Sequence, residues 1–195
     1  MMSRHIVGLA ATTVAALALA ACGTTAAARF YTLSSTATVA APPALNVTVI
    51  VGPVAIPATV DRPEFVTARG SNGVDVDAFN RWAEPLNDGI ARAVAGDLEA
   101  LLGGSTVAVA PLANFSPTWR VTLRVQRFES AFDSSVLIDA VWVVRKEVGG
   151  EAHSGHTLAR ETVSGSGFDA LAAAHSRALA TISADIAAAI RAAAT

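Results

Sequence analysis

A strict alternation of apolar and polar residues runs through residues 119–125, and it constrains the fold more than any other feature of the sequence. Successive side chains of a β-strand point to opposite faces, so this segment predicts a strand with one apolar and one polar face. The alternation slips at Arg127 and Phe128, which predicts a bulge or a strand end at that point. The apolar face of such a strand needs a second layer of structure to cover it.

Seven further segments predict extended structure, because they are rich in β-branched and aromatic residues. One of them places Ile138, Ala140, Trp142 and Val144 on a single face. The turn-forming run 70–73 predicts a hairpin between two of the segments, and the last segment is expected to be antiparallel to its neighbour. The seven segments are 29–33, 46–56, 64–68, 74–76, 106–110, 135–146 and 157–163.

Two helices are predicted, at about residues 85–102 and 168–193, each with a stripe of apolar side chains at three- and four-residue steps. Pro85 suits the first turn of a helix, and Gly103 suits its end. The order of strands, helix, strands and helix predicts an α+β fold. We expect a single antiparallel or mixed sheet with both main helices packed on one face, as a two-layer sandwich. The stripes contain Leu86, Ile90, Val94, Leu98 and Leu101, then Leu171, Leu179, Ile182, Ile186 and Ile190.

A short apolar segment near the N-terminus predicts export. Arg4 is followed by 16 uncharged residues, 6–21, which is fewer than the roughly 20 needed to span a bilayer as a helix. Both the length and the preceding charge match a secretory signal peptide. The run Leu19-Ala20-Ala21-Cys22 resembles the bacterial lipobox, in which the thiol receives diacylglycerol and the peptide is cleaved before the cysteine.

The lipobox divides the chain into a lipoprotein signal peptide at 1–21, a lipidated tether at 22–28 and a folded domain at 29–195. Cys22 is the only cysteine, so an intramolecular disulfide is excluded. Several acyl chains, at roughly 0.8 kcal/mol per buried CH₂, would make release from the membrane negligible. Gly23, where an aspartate would signal retention, resembles an outer-membrane address. The alternative is an ordinary signal peptide with a chance cysteine.

The charge balance gives no indication of a surface that binds nucleic acid. The chain carries 14 basic and 16 acidic residues, for a formal net charge of −2. Removal of the signal peptide takes away Arg4, so 13 basic and 16 acidic residues remain and the net charge becomes −3. Binding to a phosphate backbone requires a basic face.

The sequence contains no recognisable catalytic set. Residues 165–170 match G-x-G-x-x-A between a strand and a helix, but no second strand follows to complete a dinucleotide site. Glu151, His153 and His156 suggest a metal site, yet they fall in a predicted Gly/Ser loop without further ligands nearby. We therefore expect no enzymatic activity, no cofactor and no metal.

Two polar runs stand out ahead of the first helix. They are Asp61-Arg62-Pro63 and Arg81-Trp82-Ala83-Glu84-Pro85-Leu86. Tryptophan and arginine serve equally in a buried corner of a fold and at a contact surface, so both roles stay open. We expect the two runs to meet at one end of the first helix, with Arg81 or Arg62 bonded to Asp61 or Glu84.

These two runs, together with matching segments before and after them in the sequence, resemble the ABC-type transport auxiliary lipoprotein family, the PqiC-like proteins. The resemblance covers essentially all of the chain after the signal peptide. Its specific part is the order and spacing of G-P-V, P, D-R-P and R-W-A-E-P-L. The matching residues are Cys22, Arg29-Phe30-Tyr31-Thr32-Leu33, Val51-Gly52-Pro53-Val54, Pro57, Asp61-Arg62-Pro63, Val66-Thr67, Arg81-Trp82-Ala83-Glu84-Pro85-Leu86, Arg127-Phe128-Glu129 and Ala140-Val141-Trp142.

The resemblance implies a lipoprotein of the outer membrane that faces the periplasm. Such a protein is an accessory or docking subunit of an MCE/ABC-type system that moves lipids between the envelope membranes. Its partners would be the membrane, through the lipid on Cys22, and an MCE-domain (PqiB-like) protein; a homo-oligomer stays open. The alternative is a periplasmic module that itself carries an acyl chain or another hydrophobic ligand. A deep apolar cavity would favour that alternative, and a packed core would favour docking.

Overall fold

The computed structural model describes residues 27–38, 44–132 and 134–194. Cys22, the predicted signal peptide at 1–21 and most of the predicted tether at 22–28 lie outside the described residues. Eight strands are formed within the described ranges. They are β1 (Arg29–Tyr31), β2 (Thr48–Ala55), β3 (Glu64–Arg69), β4 (Gly73–Trp82), β5 (Thr106–Val109), β6 (Trp119–Ser130), β7 (Ser135–Lys146) and β8 (Ala152–Thr162).

Five of the strands form a large sheet in the order β5-β2-β6-β7-β8. β2 is parallel to both of its neighbours, whereas β6, β7 and β8 are antiparallel. The predicted apolar face of β6 is confirmed, because Trp119, Val121, Leu123 and Val125 are all buried. The slip in the alternation is a bulge, after which β6 continues with Phe128 again buried. The large sheet therefore contains both parallel and antiparallel pairs, which agrees with the predicted antiparallel or mixed sheet.

The predicted single sheet is wrong, because β1, β3 and β4 form a separate small sheet. β4 lies in the middle, parallel to β1 and antiparallel to β3, and the predicted hairpin turn at 70–73 joins β3 to β4. Alternation identifies a strand but does not specify which strands it pairs with. In addition, β4 extends to Trp82, well past the predicted segment 74–76. This longer strand pairs with β3 on one side and with β1 on the other.

Two helices cover one face of the large sheet. They are α1 (Leu86–Leu102) and α2 (Gly167–Ala194), which agree with the predicted helices within a residue or two. α1 contacts β2 and β5, α2 contacts β7 and β8, and the helices contact each other. The apolar stripes are buried in this layer, except for Leu101, which is partly buried, so the two-layer arrangement is confirmed for the large sheet. Of the described helices, neither combines the length and apolarity needed to cross a bilayer.

Candidate functional site

The two polar runs come together where β4 passes into α1. The N–H of Trp82 donates to the carbonyl of Pro63 at 2.7 Å, and the N–H of Ala83 donates to the carbonyl of Tyr31 at 2.9 Å. Pro85 then precedes α1 with extended backbone angles, φ −50° and ψ 132°, and needs no N–H donor at this position. The backbone of three separate segments is therefore tied together at one end of α1.

An open cleft of about 420 Å³ lies at this junction. We call it the α1 cleft, and its lining consists of Asp61, Arg62, Pro63, Trp82, Ala83, Glu84, Pro85 and Leu86. All of the residues that we expected to meet here line it, except Arg81. Arg81 points elsewhere because its side chain bonds to Glu64 on the adjacent strand β3.

Trp82 lines the α1 cleft but is largely a core residue. Its side chain is only 6% exposed. The indole stacks on Phe65 with ring centroids 4.3 Å apart, and Phe128 meets it edge-on at 6.2 Å. Aromatic contacts of this kind add to the free energy gained by burial. Of the two roles left open for this residue, the packing favours the structural corner.

The charged residues pair differently from the expected pattern. Arg81 donates to Glu64 at 2.7 Å, and Glu84 accepts a forked pair from Arg92 on α1. The expected bonds of Arg81 or Arg62 to Asp61 or Glu84 are therefore wrong. Glu64 lies on the neighbouring strand β3, and Arg92 lies about two helical turns after Glu84. Neither pairing can be predicted from residues that are adjacent in the sequence.

Asp61 and Arg62 are the free charges of the α1 cleft. Both residues are exposed, and within the described ranges neither side chain has an ion pair or a hydrogen bond. Their backbone N–H groups donate to Pro57 and Val60, which shapes the turn that presents them. An acid and a base on a preformed turn, beside a partly apolar wall, can contact a partner surface without first breaking internal bonds.

A second polar centre, which was not predicted from the sequence, is the buried carboxyl group of Asp97 on α1. Asp97 has no exposed surface. Its Oδ1 accepts the hydroxyl of Ser35 at 2.8 Å and the N–H groups of Thr36 and Ala37, both at 2.9 Å. Its Oδ2 accepts the hydroxyl of Ser183 on α2 at 3.1 Å. A carboxyl group inside a core is stable only when its oxygens accept hydrogen bonds such as these.

The segment 33–37, which we call the strap, lies across both helices because of these bonds. Arg92 donates to the carbonyl of Leu33 at 2.9 Å, and Ser34 donates its N–H to the hydroxyl of Ser176 at 3.1 Å. Gly96 allows the close approach, since a Cβ there would lie 2.9 Å from that of Ser35. One signal was present in the sequence: Asp97 lies three residues after Val94, on the apolar stripe of α1.

The histidines considered for a metal lie on a strand, and their predicted loop setting is wrong. β8 begins at Ala152, earlier than predicted, and contains both of them. His156 bonds to Asp139 at 2.7 Å, whereas His153 lies 3.3 Å from Glu151. In the part of the chain that the structure describes, no three metal-ligating side chains converge. Glycine and serine residues in β8 produced the loop-like composition.

A third histidine is fully buried between α2 and the large sheet. The imidazole of His175 stacks on Phe128 with centroids 3.9 Å apart and lies 2.7 Å from the hydroxyl of Ser130. Among the residues that the structure describes, none offers a hydrogen-bond partner to its Nδ1. Burial lowers the pKa of His175 to about 3, because the charged ring would lose its solvation. The ring is therefore neutral near pH 7 and serves as a core residue.

Comparison with known proteins gives one family and several similar folds. The family model for the ABC-type transport auxiliary lipoprotein component matches residues 31–187. No curated protein matches the chain. The crystal structure of an uncharacterised protein has 22% identity and a TM-score of 0.70, and the match covers 85% of this chain and 99% of that one. A DUF330 protein from Xanthomonas campestris has 18% identity and a TM-score of 0.67, with 82% and 92% covered. At these identities the similarity concerns the fold alone.

Proposed function

Because the chain belongs to the ABC-type transport auxiliary lipoprotein family, we propose that it is the docking subunit of a lipid transport system. In this role the folded domain receives an MCE-domain (PqiB-like) protein, and lipid on Cys22 holds the domain to the outer membrane. The description of the family as an auxiliary component fits a protein that assists transport without being an enzyme.

The observation that carries the docking role is the pair of free charges at the α1 cleft. Asp61 and Arg62 are presented on a fixed turn beside the apolar wall of Pro63, Pro85 and Leu86. Protein interfaces combine an apolar centre with polar groups that set the register of the partner. The partner that fits has an apolar side chain for the wall and charges that complement this acid and base.

The packing of the core supports docking over lipid carriage. The space between the large sheet and the helices is filled by fully buried side chains such as Leu98, Leu179 and Ile186. A site for an acyl chain would need an enclosed apolar cavity of several hundred Å³. The larger clefts, including one of about 490 Å³ beside the strap, are open to the surface.

The anchor rests on the sequence at the N-terminus. The lipobox ends at Cys22, and Gly23 follows it. The family description as a lipoprotein supports lipid attachment at this cysteine. The absence of aspartate at position 23 supports sorting to the outer membrane, so that the domain faces the periplasm.

Co-purification with the MCE-domain protein of the same bacterium tests the docking role. Arg62→Glu reverses one free charge at an exposed position, so the fold should be retained and the amount of co-purified partner should fall. Arg124→Glu is the matched control, because Arg124 is also exposed and has no ion pair among the described residues. Equal recovery of the partner with both variants would contradict a role for the α1 cleft.

A further inference from the structure

The small sheet carries a concentration of exposed apolar side chains. Among the described residues, eight large apolar side chains are exposed, and four of these belong to the small sheet. They are Phe30, Val74, Val76 and Phe79. Single exposed apolar residues are common on proteins, but several on one small element indicate a contact surface.

Phe79 lies beside the place where the described chain enters the small sheet. Ala27, Arg29, Phe79 and Asn80 line one shallow cleft, and Arg29 is opposite Asn80 in the register of β1 and β4. Phe79 is 45% exposed, and Arg29 is exposed as well. We call the surface formed by these four residues the outer face of the small sheet.

The position of Phe79 is fixed by hydrogen bonds between the backbone and the side chain of Asp77. The carboxylate of Asp77 accepts the N–H groups of Phe79 at 2.9 Å and of Asn80 at 2.8 Å. The register between β3 and β4 shifts at this place, so β4 contains additional residues there. The ring of Phe79 is therefore exposed on a defined bulge and not on a freely moving loop.

The outer face of the small sheet also lies close to the predicted point of lipid attachment. Ala27 is five residues after Cys22, and five extended residues span at most about 18 Å. Ala27, Arg29, Phe79 and Asn80 line one shallow cleft, so the chain leaves the domain directly beside Phe79. Arg29 is exposed and has no ion pair within the described part of the chain.

We propose that the outer face of the small sheet rests on the surface of the membrane that holds the N-terminal lipid. Phe79 inserts between the headgroups, and Arg29 contacts their phosphates. This inference rests on the proposed lipid attachment at Cys22. Aromatic side chains favour the interface between water and hydrocarbon, and arginine pairs well with phosphate.

The short tether favours the membrane over a protein as the occupant of this face. A lipidated chain with only a few residues before β1 keeps Phe79 within reach of the headgroup layer at all times. The effective concentration of the membrane at this face is therefore high, and weak insertion of the ring of Phe79, beside the charge of Arg29, suffices to orient the domain. The lipid supplies the attachment, and the aromatic contact fixes which side of the domain faces the periplasm.

Lipid-based quenching of a probe at position 79 tests the proposal. Once Cys22 is lipidated, Phe79→Cys carries the only free thiol, which can be labelled with bimane. The lipidated full-length mature protein is placed in phosphatidylethanolamine and phosphatidylglycerol vesicles, with or without a phospholipid that carries a doxyl quencher near its headgroup. We expect a blue shift and a loss of bimane emission with the quencher. Leu158→Cys, exposed on β8 of the large sheet, is the matched control and should show neither change.

The outcomes separate this inference from the proposed anchor. If the protein floats with the vesicles and position 79 is quenched no more than position 158, the membrane contact is refuted while the anchor stands. If position 79 is shifted without quenching, and the shift grows with protein concentration, a second copy occupies the face and the proposal is also refuted. If mass spectrometry finds no lipid on Cys22, the proposed anchor fails first, and this inference falls with it.

Discussion

The backbone N–H of Thr36 donates a 2.9 Å hydrogen bond to the carboxylate of Asp97, which follows it by 61 residues. Through this bond and its neighbours, the chain that arrives from the N-terminus is held against α1 and α2. A carboxylate with four donors replaces the water that it loses on burial. The strap is therefore an integral part of the helix layer.

Asp97→Ala should lower the free energy of unfolding by about 3 kcal/mol or more, because the buried N–H groups of Thr36 and Ala37 lose their acceptor. Asp97→Asn keeps one oxygen and should lose less. Glu99→Ala, exposed on the same helix, is the control and should stay within about 0.5 kcal/mol of the wild type. Urea unfolding measures all three, and equal stability of Asp97→Ala and the control would contradict the role of the carboxylate.

Trp82→Ala should lower the free energy of unfolding by about 3–5 kcal/mol, since it removes a large buried ring that stacks on Phe65. Thermal unfolding of Trp82→Ala beside Val148→Ala, an exposed apolar residue, is the measurement. If the melting temperature is unchanged while recovery of the MCE-domain partner falls, Trp82 is a contact residue and not a structural corner.

The neutral state of His175 should make the protein less stable in mild acid. The unfolded chain binds a proton at this residue below about pH 6.5. In the folded protein the pKa of the buried ring is lowered to about 3, so the ring stays neutral down to about pH 3. Stability from this group is complete above pH 6.5 and falls as the pH decreases toward 3. At pH 5 the loss should be about 2 kcal/mol.

Urea unfolding of the wild type and of His175→Phe, at pH 7.5 and pH 5, isolates this contribution. The carboxylates contribute equally to both proteins, so the difference between the two pH dependences belongs to His175. We expect a flatter dependence for His175→Phe, whatever its stability at pH 7.5. Parallel dependences would show that the imidazole is not shielded from protonation.

Cys22→Ser should prevent lipid attachment, because the hydroxyl cannot replace the thiol as the acceptor of diacylglycerol. We expect an uncleaved precursor or a protein released into the periplasm. Cell fractionation and the mass of the product distinguish these results from the wild type. A variant of mature size that still fractionates with the outer membrane would exclude lipid on Cys22 as the anchor.

The elements of the fold were predictable where a local pattern determines them. The alternation in β6 and β7 and the stripes of α1 and α2 identified both the elements and the faces that they bury. The division into two sheets was not predictable in this way, because pairing depends on contacts between distant segments. β1 and β4 are joined across about 50 residues, and no local pattern records that choice.

The site was predictable as a location but not as a set of bonds. The sequence order of the two polar runs indicated a junction ahead of α1, and the α1 cleft lies there. The partners of Arg81 and Glu84 depended on the register of β3 and on the rotation of α1. Asp97 was not predicted as a buried polar centre, because the sequence shows only a charged residue within an apolar stripe. The donors that surround it come from distant segments of the chain.

The parallel pairing of β1 with β4 also determines how the domain would carry mechanical load. A pull on Ala27 along β1 acts on its hydrogen bonds to β4 together, in shear, and does not open them one at a time. Beyond β1 the same force reaches the strap, which Asp97, Arg92 and Ser176 hold to both helices. Tension between a membrane and a docked partner would thus be distributed over the body of the fold.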